Sequence, residues 1–449
     1  MQGNRSKSEE MLRTGSFGKL AQKLCIPTIL IMLVNVLYHM ADVFFIGQTG
    51  DPNMVAAVTL ASPLFTILSG LGVLLGNGGC TAMSLSLGKG DYGKIKKISA
   101  FCVWAAILIG FLFTAAVLVF MNPVCGFLGT DAATKDFTSA YLRVIAVGAP
   151  VIMLTNVVPA LIRADGSTTD SMVGNLIGTG LNIVLDPLLI SVLHLGVTGA
   201  ALATVLGNLA GMVFYANFLR TKGKIYSASP KDVSLEKGIV LQVLGLGLPM
   251  ASSTILMSVA SAIANNMMME YGAIAVAGQS VAGRIGTLIS MTVMGICIGM
   301  QPAISYNYSA NERKRLMDIL KKTTILAVVS GIVLSALCLL LRDKLLMAFI
   351  KNDEVLEIGR ICMLASIAVG PIYGIYQICA TYLQATGKST WATIVSLLNK
   401  GIIYIPALLL MKAAFGMYGI IFANAATTVL STIVALIFTR MDFRKEMGK

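Results

Sequence analysis

Ala164-Asp165-Gly166-Ser167-Thr168 separates two long apolar stretches, and Ala385-Thr386-Gly387-Lys388-Ser389 separates two more about 220 residues further on. Other pairs share that lag. Pro27 matches Pro249, Ala149-Pro150 matches Gly370-Pro371, and Gly196-Val197-Thr198-Gly199 matches Gly416-Met417-Tyr418-Gly419. One such match carries little weight, but their shared order and spacing mark an internal duplication. The apolar stretches around them have the roughly 20-residue length that a helix needs to cross a bilayer. There are twelve, at 20–46, 55–86, 98–121, 137–162, 172–194, 198–219, 239–270, 275–306, 320–341, 355–383, 391–411 and 417–439. Each copy holds six. An even number returns the chain to its starting side, so the second copy inserts in the same orientation, with a pseudo-two-fold along the membrane normal and a cavity between the halves. The expected fold is an all-α integral membrane protein with twelve transmembrane helices in two pseudo-two-fold-related six-helix lobes. Its expected parts are an N-lobe at 1–222, a cytoplasmic linker at 223–238 and a C-lobe at 239–449.

Composition agrees with a bilayer as solvent. Of the 449 residues, 56% are hydrophobic and 12% charged, against roughly 25% charged in soluble domains. Period-2 alternation is absent, which argues against a membrane barrel. The net charge of +13 could suggest a nucleic-acid partner, yet 25 of the 34 Lys and Arg fall on one side of the expected spans. By the positive-inside rule that side is cytoplasmic and holds both termini, in a multi-pass protein of the cell (inner) membrane. The charge therefore reports topology, and no nucleic acid is expected. The first span follows Arg13, Lys19 and Lys23 but runs too long for a signal peptide and lacks a small-residue cleavage site, so it reads as a retained helix. Gly88-Lys89-Gly90-Asp91-Tyr92-Gly93-Lys94 resembles a P-loop, but Ile95 stands where the magnesium-binding hydroxyl is required. The eight cysteines are scattered singly, with no metal or disulfide pattern. Nothing points to an enzyme or a bound cofactor.

The acidic residues narrow the search. Of 21, only Asp42 and Asp186 lie well within a span, and Glu270 sits at the end of one. A carboxylate at mid-membrane costs about 2.5–3.5 kcal/mol on insertion scales, so both are functional candidates. Asn182 and Asp186 are at i and i+4 on one helix face. Pro187 frees the carbonyl of Ile183 if the helix continues. An amide oxygen, a carboxylate and a spare carbonyl suit a hard cation or a proton. Tyr38 lies one turn before Asp42 and Asn35 two turns before, which gives that face a polar stripe. His39 reads as a packing residue beside Asp42. Arg143, Arg284 and Lys400 lie in or at the edge of spans with no assigned role.

At these residues the chain resembles the MATE multidrug and toxin exporters, in their DinF-like and MepA-like branch. The most specific stretches are Tyr38-His39-Met40-Ala41-Asp42-Val43-Phe44-Phe45-Ile46-Gly47, Leu181-Asn182-Ile183-Val184-Leu185-Asp186-Pro187-Leu188-Leu189-Ile190 and Gly199-Ala200-Ala201-Leu202-Ala203-Thr204. The resemblance implies a secondary active exporter that exchanges Na⁺ or H⁺ for lipophilic or cationic small molecules by alternating access. It implies a cation-coupling site at Asp42, Asn182, Asp186 and Thr204, where a Na⁺ ion could be held. It also implies substrate-cavity positions at Tyr38, Tyr141 and Asn156 (with Asn35 on the same polar face of span 1) and a helix bend at Pro27. Acidic residues inside C-lobe spans, a feature of the NorM-like branch, are missing here. A monomer in contact with membrane lipids is expected. The competing reading is a lipid-linked oligosaccharide flippase of the same superfamily.

Overall fold

The computed structural model describes residues 7–221, 225–347 and 353–447; side chains at 7, 39, 40, 42, 43, 273, 353, 446 and 447 lie outside the description. The described residues contain twelve helices long and apolar enough to cross a membrane and no strand. A short helix, Lys7–Thr14, precedes them. Helix α1 is built from Phe17–Leu20, a π-turn at Ala21–Cys25 and Ile26–Gly47. Then come α2 (Pro52–Gly88), α3 (Tyr92–Val119) and α4 (Lys135–Arg163). Next are α5 (Thr168–Pro187, continued by a π-turn at Leu188–Val192) and α6 (Gly196–Thr221). The second copy runs through α7 (Lys237–Met269), α8 (Ala273–Ser309), α9 (Arg313–Leu340) and α10 (Asp353–Ala385). It ends with α11 (Ser389–Leu397, a π-turn at Leu398–Ile402, then Tyr404–Phe415) and α12 (Met417–Met447).

Several helices extend past their apolar stretches because polar end turns are stable outside hydrocarbon. Helix α9 begins with Arg313, Lys314 and Arg315, seven residues before the apolar stretch. Two prolines expected to disturb helices do not break them. The chain passes Pro187 as helix and widens into the π-turn after it, a usual way to absorb a misfit in the hydrogen-bond ladder. At Pro27 the π-turn Ala21–Cys25 comes just before, and the Thr28 hydroxyl donates to the Leu24 carbonyl at 2.7 Å.

Packing divides the chain into two units, Met1–Glu9 with Leu30–Gly247 and Glu10–Ile29 with Leu248–Lys449. The division falls within α1 three residues after Pro27 begins its turn and within α7 just before Pro249. Close glycine contacts explain the membership of these helix segments. In the first unit, a Cβ on Gly247 of α7 would lie 1.8 Å from the Leu74 carbonyl of α2. In the second, a Cβ on Gly299 of α8 would lie 2.7 Å from the Leu24 carbonyl of α1. Residues 225–238 are not a free tether. They are fastened to α3, where the Trp104 indole donates to the Ala228 carbonyl at 3.0 Å and Lys97 pairs with Glu236 at 2.7 Å. That pairing holds the Glu236 carboxyl below its ordinary range, chiefly through the Lys97 hydrogen bond.

The duplication is visible within each unit by itself. Pro150 in α4 has no N–H, so the carbonyl of Ala146 loses its helical donor. Thr114 of α3 supplies one, with Oγ1 at 2.6 Å. In the second unit Pro371 in α10 strips the carbonyl of Ile367, and Ser335 of α9 donates to it at 3.0 Å. Glycines allow both approaches. A Cβ on Gly110 would lie 2.5 Å from the Pro150 Cα, and one on Gly331 3.3 Å from the Pro371 Cα. Thr114→Val keeps the side-chain shape and removes the donor, so thermal unfolding in lipid nanodiscs should show a loss of about 1 kcal/mol. Ser335→Ala should give a loss of the same order, and no change in either variant would reject the capping role.

Candidate functional site

The sequence-selected residues converge in the first unit, on a cavity of about 230 Å³. Helices α5 and α6 form one wall of it, and α1, α2 and α4 complete the lining. Helices α5 and α6 cross through two glycine pairs, Gly174 and Gly178 on α5 and Gly207 and Gly211 on α6, an arrangement that lets membrane helices approach closely. A Cβ on Gly207 would sit 2.6 Å from the Gly178 carbonyl and 2.9 Å from the Asn182 Cβ, and one on Gly211 would sit 3.0 Å from the Gly174 carbonyl. This close contact fixes the register that brings Asn182 and Thr204 to the same cavity.

Asn35, Tyr38, Asn156, Asn182 and Thr204 all line it. Asp186 is fully buried one turn beyond Asn182 on the same face of α5. Asp42 falls within helix α1, but its side chain and that of His39 lie outside the described residues. Tyr141 is buried and is not part of the lining. Asn208, Thr155 and Asn175 also line the cavity, and reading the sequence for acidic residues missed them.

Hydrogen bonds hold most of these groups in place. The hydroxyls of Tyr38 and Thr204 are 3.2 Å apart, which ties α1 to α6. Asn208 donates from Nδ2 to the Thr204 carbonyl at 2.7 Å and accepts from the Thr155 hydroxyl at 2.6 Å, tying α6 to α4. Asn156 donates to the Ile152 carbonyl at 2.8 Å, which leaves its Oδ1 available to the cavity. Asn182 differs: it is 3% exposed, and neither amide heteroatom has a hydrogen-bond partner among the described residues. A buried amide without partners costs about 1–3 kcal/mol. An oxygen-rich set of Asn182, Thr204 and Asp186 fits a hard cation or a proton with bridging water, and gives no match to a transition metal. Among the described residues no cluster of three or more His, Cys, Asp or Glu could hold a metal ion.

In the second unit, Glu270 follows α7 and both its carboxylate oxygens lie 2.7 Å from Lys412 Nζ. It serves as a tie at the end of α11. Arg143 and Arg284 are exposed, and Lys400 lies in the π-turn of α11.

Two six-helix copies, each with a hydroxyl capping a carbonyl stripped by proline, and a cavity rich in amides and hydroxyls in the first, define a multi-pass membrane protein of transporter type. The chain belongs to the MatE family, whose model matches residues 27–188 and again 249–410, one match in each copy. It is 31% identical to the multidrug export protein MepA of Staphylococcus aureus over 93% of this chain and 92% of that one. The MepA of Staphylococcus saprophyticus is 30% identical over 92% and 91%. A solved outward-facing multidrug resistance MATE transporter of the MOP superfamily superposes with a TM-score of 0.93 at 22% identity, covering all of both chains.

Gly207→Leu should drive α5 off α6, since the side chain would enter the Gly178 carbonyl and the Asn182 Cβ. The expected loss is about 1–3 kcal/mol, as for other overpacked interiors, read as a lower unfolding temperature in nanodiscs. Gly180→Leu, at a position with nothing within 4 Å of a Cβ, serves as the control. Equal effects of the two would refute the packing role of the glycine seam.

Proposed function

We propose that the protein is a secondary active exporter of lipophilic and cationic small molecules, driven by inward movement of Na⁺ or H⁺ through alternating access. The observation that carries this reading is Asn182. Among the described residues its amide has no hydrogen-bond partner, and it lines the cavity one helical turn from the buried carboxylate of Asp186. Evolution's cheaper choice at a purely structural position is an apolar side chain, because an unpaired polar group in the bilayer has no water to fall back on. The export named for the Staphylococcus relatives supports the same direction and favours drug export over oligosaccharide flipping.

On this reading Asp42, Asn182, Asp186 and Thr204 bind the coupling cation, and Asn35, Tyr38 and Asn156 face the drug in the same cavity. Tyr141, on α4, is buried outside that lining. Both termini and the basic loops are cytoplasmic, following the distribution of Lys and Arg. The protein works as a monomer in the cell membrane. Coupling follows from differential affinity. A cation that binds one conformation better than another shifts the population towards it, and a cationic drug that needs the same negative potential is displaced as the coupling cation loads.

Dye efflux from vesicles under separately imposed Na⁺ and pH gradients tests both the activity and the ion. Asp186→Asn and Asp42→Asn should abolish gradient-driven efflux while the protein still inserts. Thr204→Val removes the hydroxyl beside Tyr38 and should raise the half-saturating cation concentration by about tenfold, the equivalent of one charge-assisted hydrogen bond. Undiminished efflux in both Asp variants would eliminate this assignment.

A further inference from the structure

One face of α5 is polar from end to end. Thr168, Ser171, Asn175, Thr179, Asn182 and Asp186 fall within about 80° of arc at 3.6 residues per turn, and span about 27 Å at 1.5 Å per residue. Thr168 and Ser171 are as completely buried as Asp186. The hydroxyls of Thr168 and Ser171, the Oδ1 of Asn175 and both amide heteroatoms of Asn182 have no hydrogen-bond partner among the described residues. One orphaned group in a membrane helix can be an accident of packing. Four neighbouring side chains with orphaned atoms on one stripe form a series of oxygen and amide groups that water or a hydrated cation could solvate in turn.

The cavity covers the upper part of this stripe, since Asn175, Thr179 and Asn182 line it together with Thr204 and Asn208 of α6. Its volume of about 230 Å³ is well above the roughly 30 Å³ that a water occupies in the liquid. Tyr215 of α6 closes the other end. Its ring lies against Gly174, where a Cβ would be 2.3 Å from the ring, and its hydroxyl donates to the Ser171 carbonyl at 2.8 Å. Beyond Tyr215 the stripe continues through Ser171 and Thr168 to the turn that holds Asp165. That carboxylate is 5% exposed and accepts from the Ser167 amide at 3.0 Å. Burial pushes its pKa up, so the turn can take a proton more readily than an ordinary carboxylate. All of these residues belong to the first unit.

We propose that the polar face of α5 is a conduit within this one unit, along which the coupling cation passes between Asp186 and the cytoplasmic turn at Asp165, with Tyr215 as its gate. The conduit rests on the reading of Asp186 as a coupling residue. It gives the cation an exit separate from the drug's path, so that the ion can leave towards the cytoplasm while the drug leaves outward.

Two measurements test it. In a background with the native cysteines replaced, Ser171→Cys and Asn175→Cys should react with a small cationic thiosulfonate applied from the cytoplasmic face. Adding Tyr215→Phe, which keeps the ring and removes the bond to Ser171, should speed labelling of Asn175→Cys by about tenfold. Separately, the near-isosteric pair Thr168→Val with Ser171→Ala should slow gradient-driven efflux by about tenfold, as loss of solvating oxygens raises the barrier for the passing ion. Failure of both cysteines to react with or without Tyr215→Phe overturns the conduit. So does unchanged efflux in the Thr168/Ser171 variant when Asp186→Asn is inactive. Efflux that persists in Asp186→Asn overturns the coupling-site reading instead, and the labelling result then decides the conduit alone.

Discussion

A carbonyl inside hydrocarbon must find a donor, and this constraint governs the whole molecule. Pro150 and Pro371 each strip one carbonyl in the middle of a span, and in both copies a hydroxyl on the preceding helix restores the missing donor. The cap works only because a glycine on that preceding helix lets the proline-bearing helix come close. Proline, hydroxyl and glycine therefore form one device, and losing any member leaves the other two as liabilities. The same device in both copies gives a physical reason for the match of Ala149-Pro150 with Gly370-Pro371. Lipid-facing positions accept many apolar residues, whereas a donor for an orphaned carbonyl accepts few.

The same economy shapes the site. Backbone contact through Gly174, Gly178, Gly207 and Gly211 brings α5 and α6 together with almost no side chain between them. The polar side chains flanking the seam, Asn175, Thr179, Asn182, Thr204 and Asn208, line the cavity beside it, and the Tyr215 ring packs on Gly174. Hydrogen bonds from Asn208 to Thr155 and to the Thr204 carbonyl spend that residue's own capacity on positioning. Asn182 spends none of its capacity within the described protein. The contrast between two asparagines on adjacent helices separates scaffold from binding group: partly buried Asn208 is committed to the protein, and buried Asn182 is not.

Much of this was legible in the chain itself. Apolar length gave twelve crossings, and the repeat gave six per copy. The spacing of Asn182 and Asp186 placed them on one face, because helix periodicity is local. Asn175 and Asn208 were not found, since a lone asparagine in an apolar span has no sequence neighbour to mark it. The signal that existed was wider: 168, 171, 175, 182 and 186 share one face, but only a reading of the whole helix for polar residues, rather than acidic ones, reveals it. Unit membership was also hidden. That the first part of α1 groups with α8 and the first part of α7 with α2 depends on glycine contacts between segments far apart in sequence, at Gly299 and Gly247.

A transport site must bind well enough to load and weakly enough to release, as conduction through a filter requires. Ionised carboxylates alone would hold a cation tightly in a low-dielectric interior, where charge interactions are strengthened. Neutral amides and hydroxyls offer a gentler field, and several in series replace a hydration shell step by step. The α5 face has that composition: one acid at Asp186, then Asn182, Thr179, Asn175, Ser171 and Thr168. On the proposed reading the carboxylate supplies the affinity for loading, and the neutral oxygens keep the path of release shallow. A second acid in the middle of that face, at 175 or 179, would deepen the well and trap the ion, so the restriction of carboxylates to its two ends, Asp186 and Asp165, follows from the need to let go.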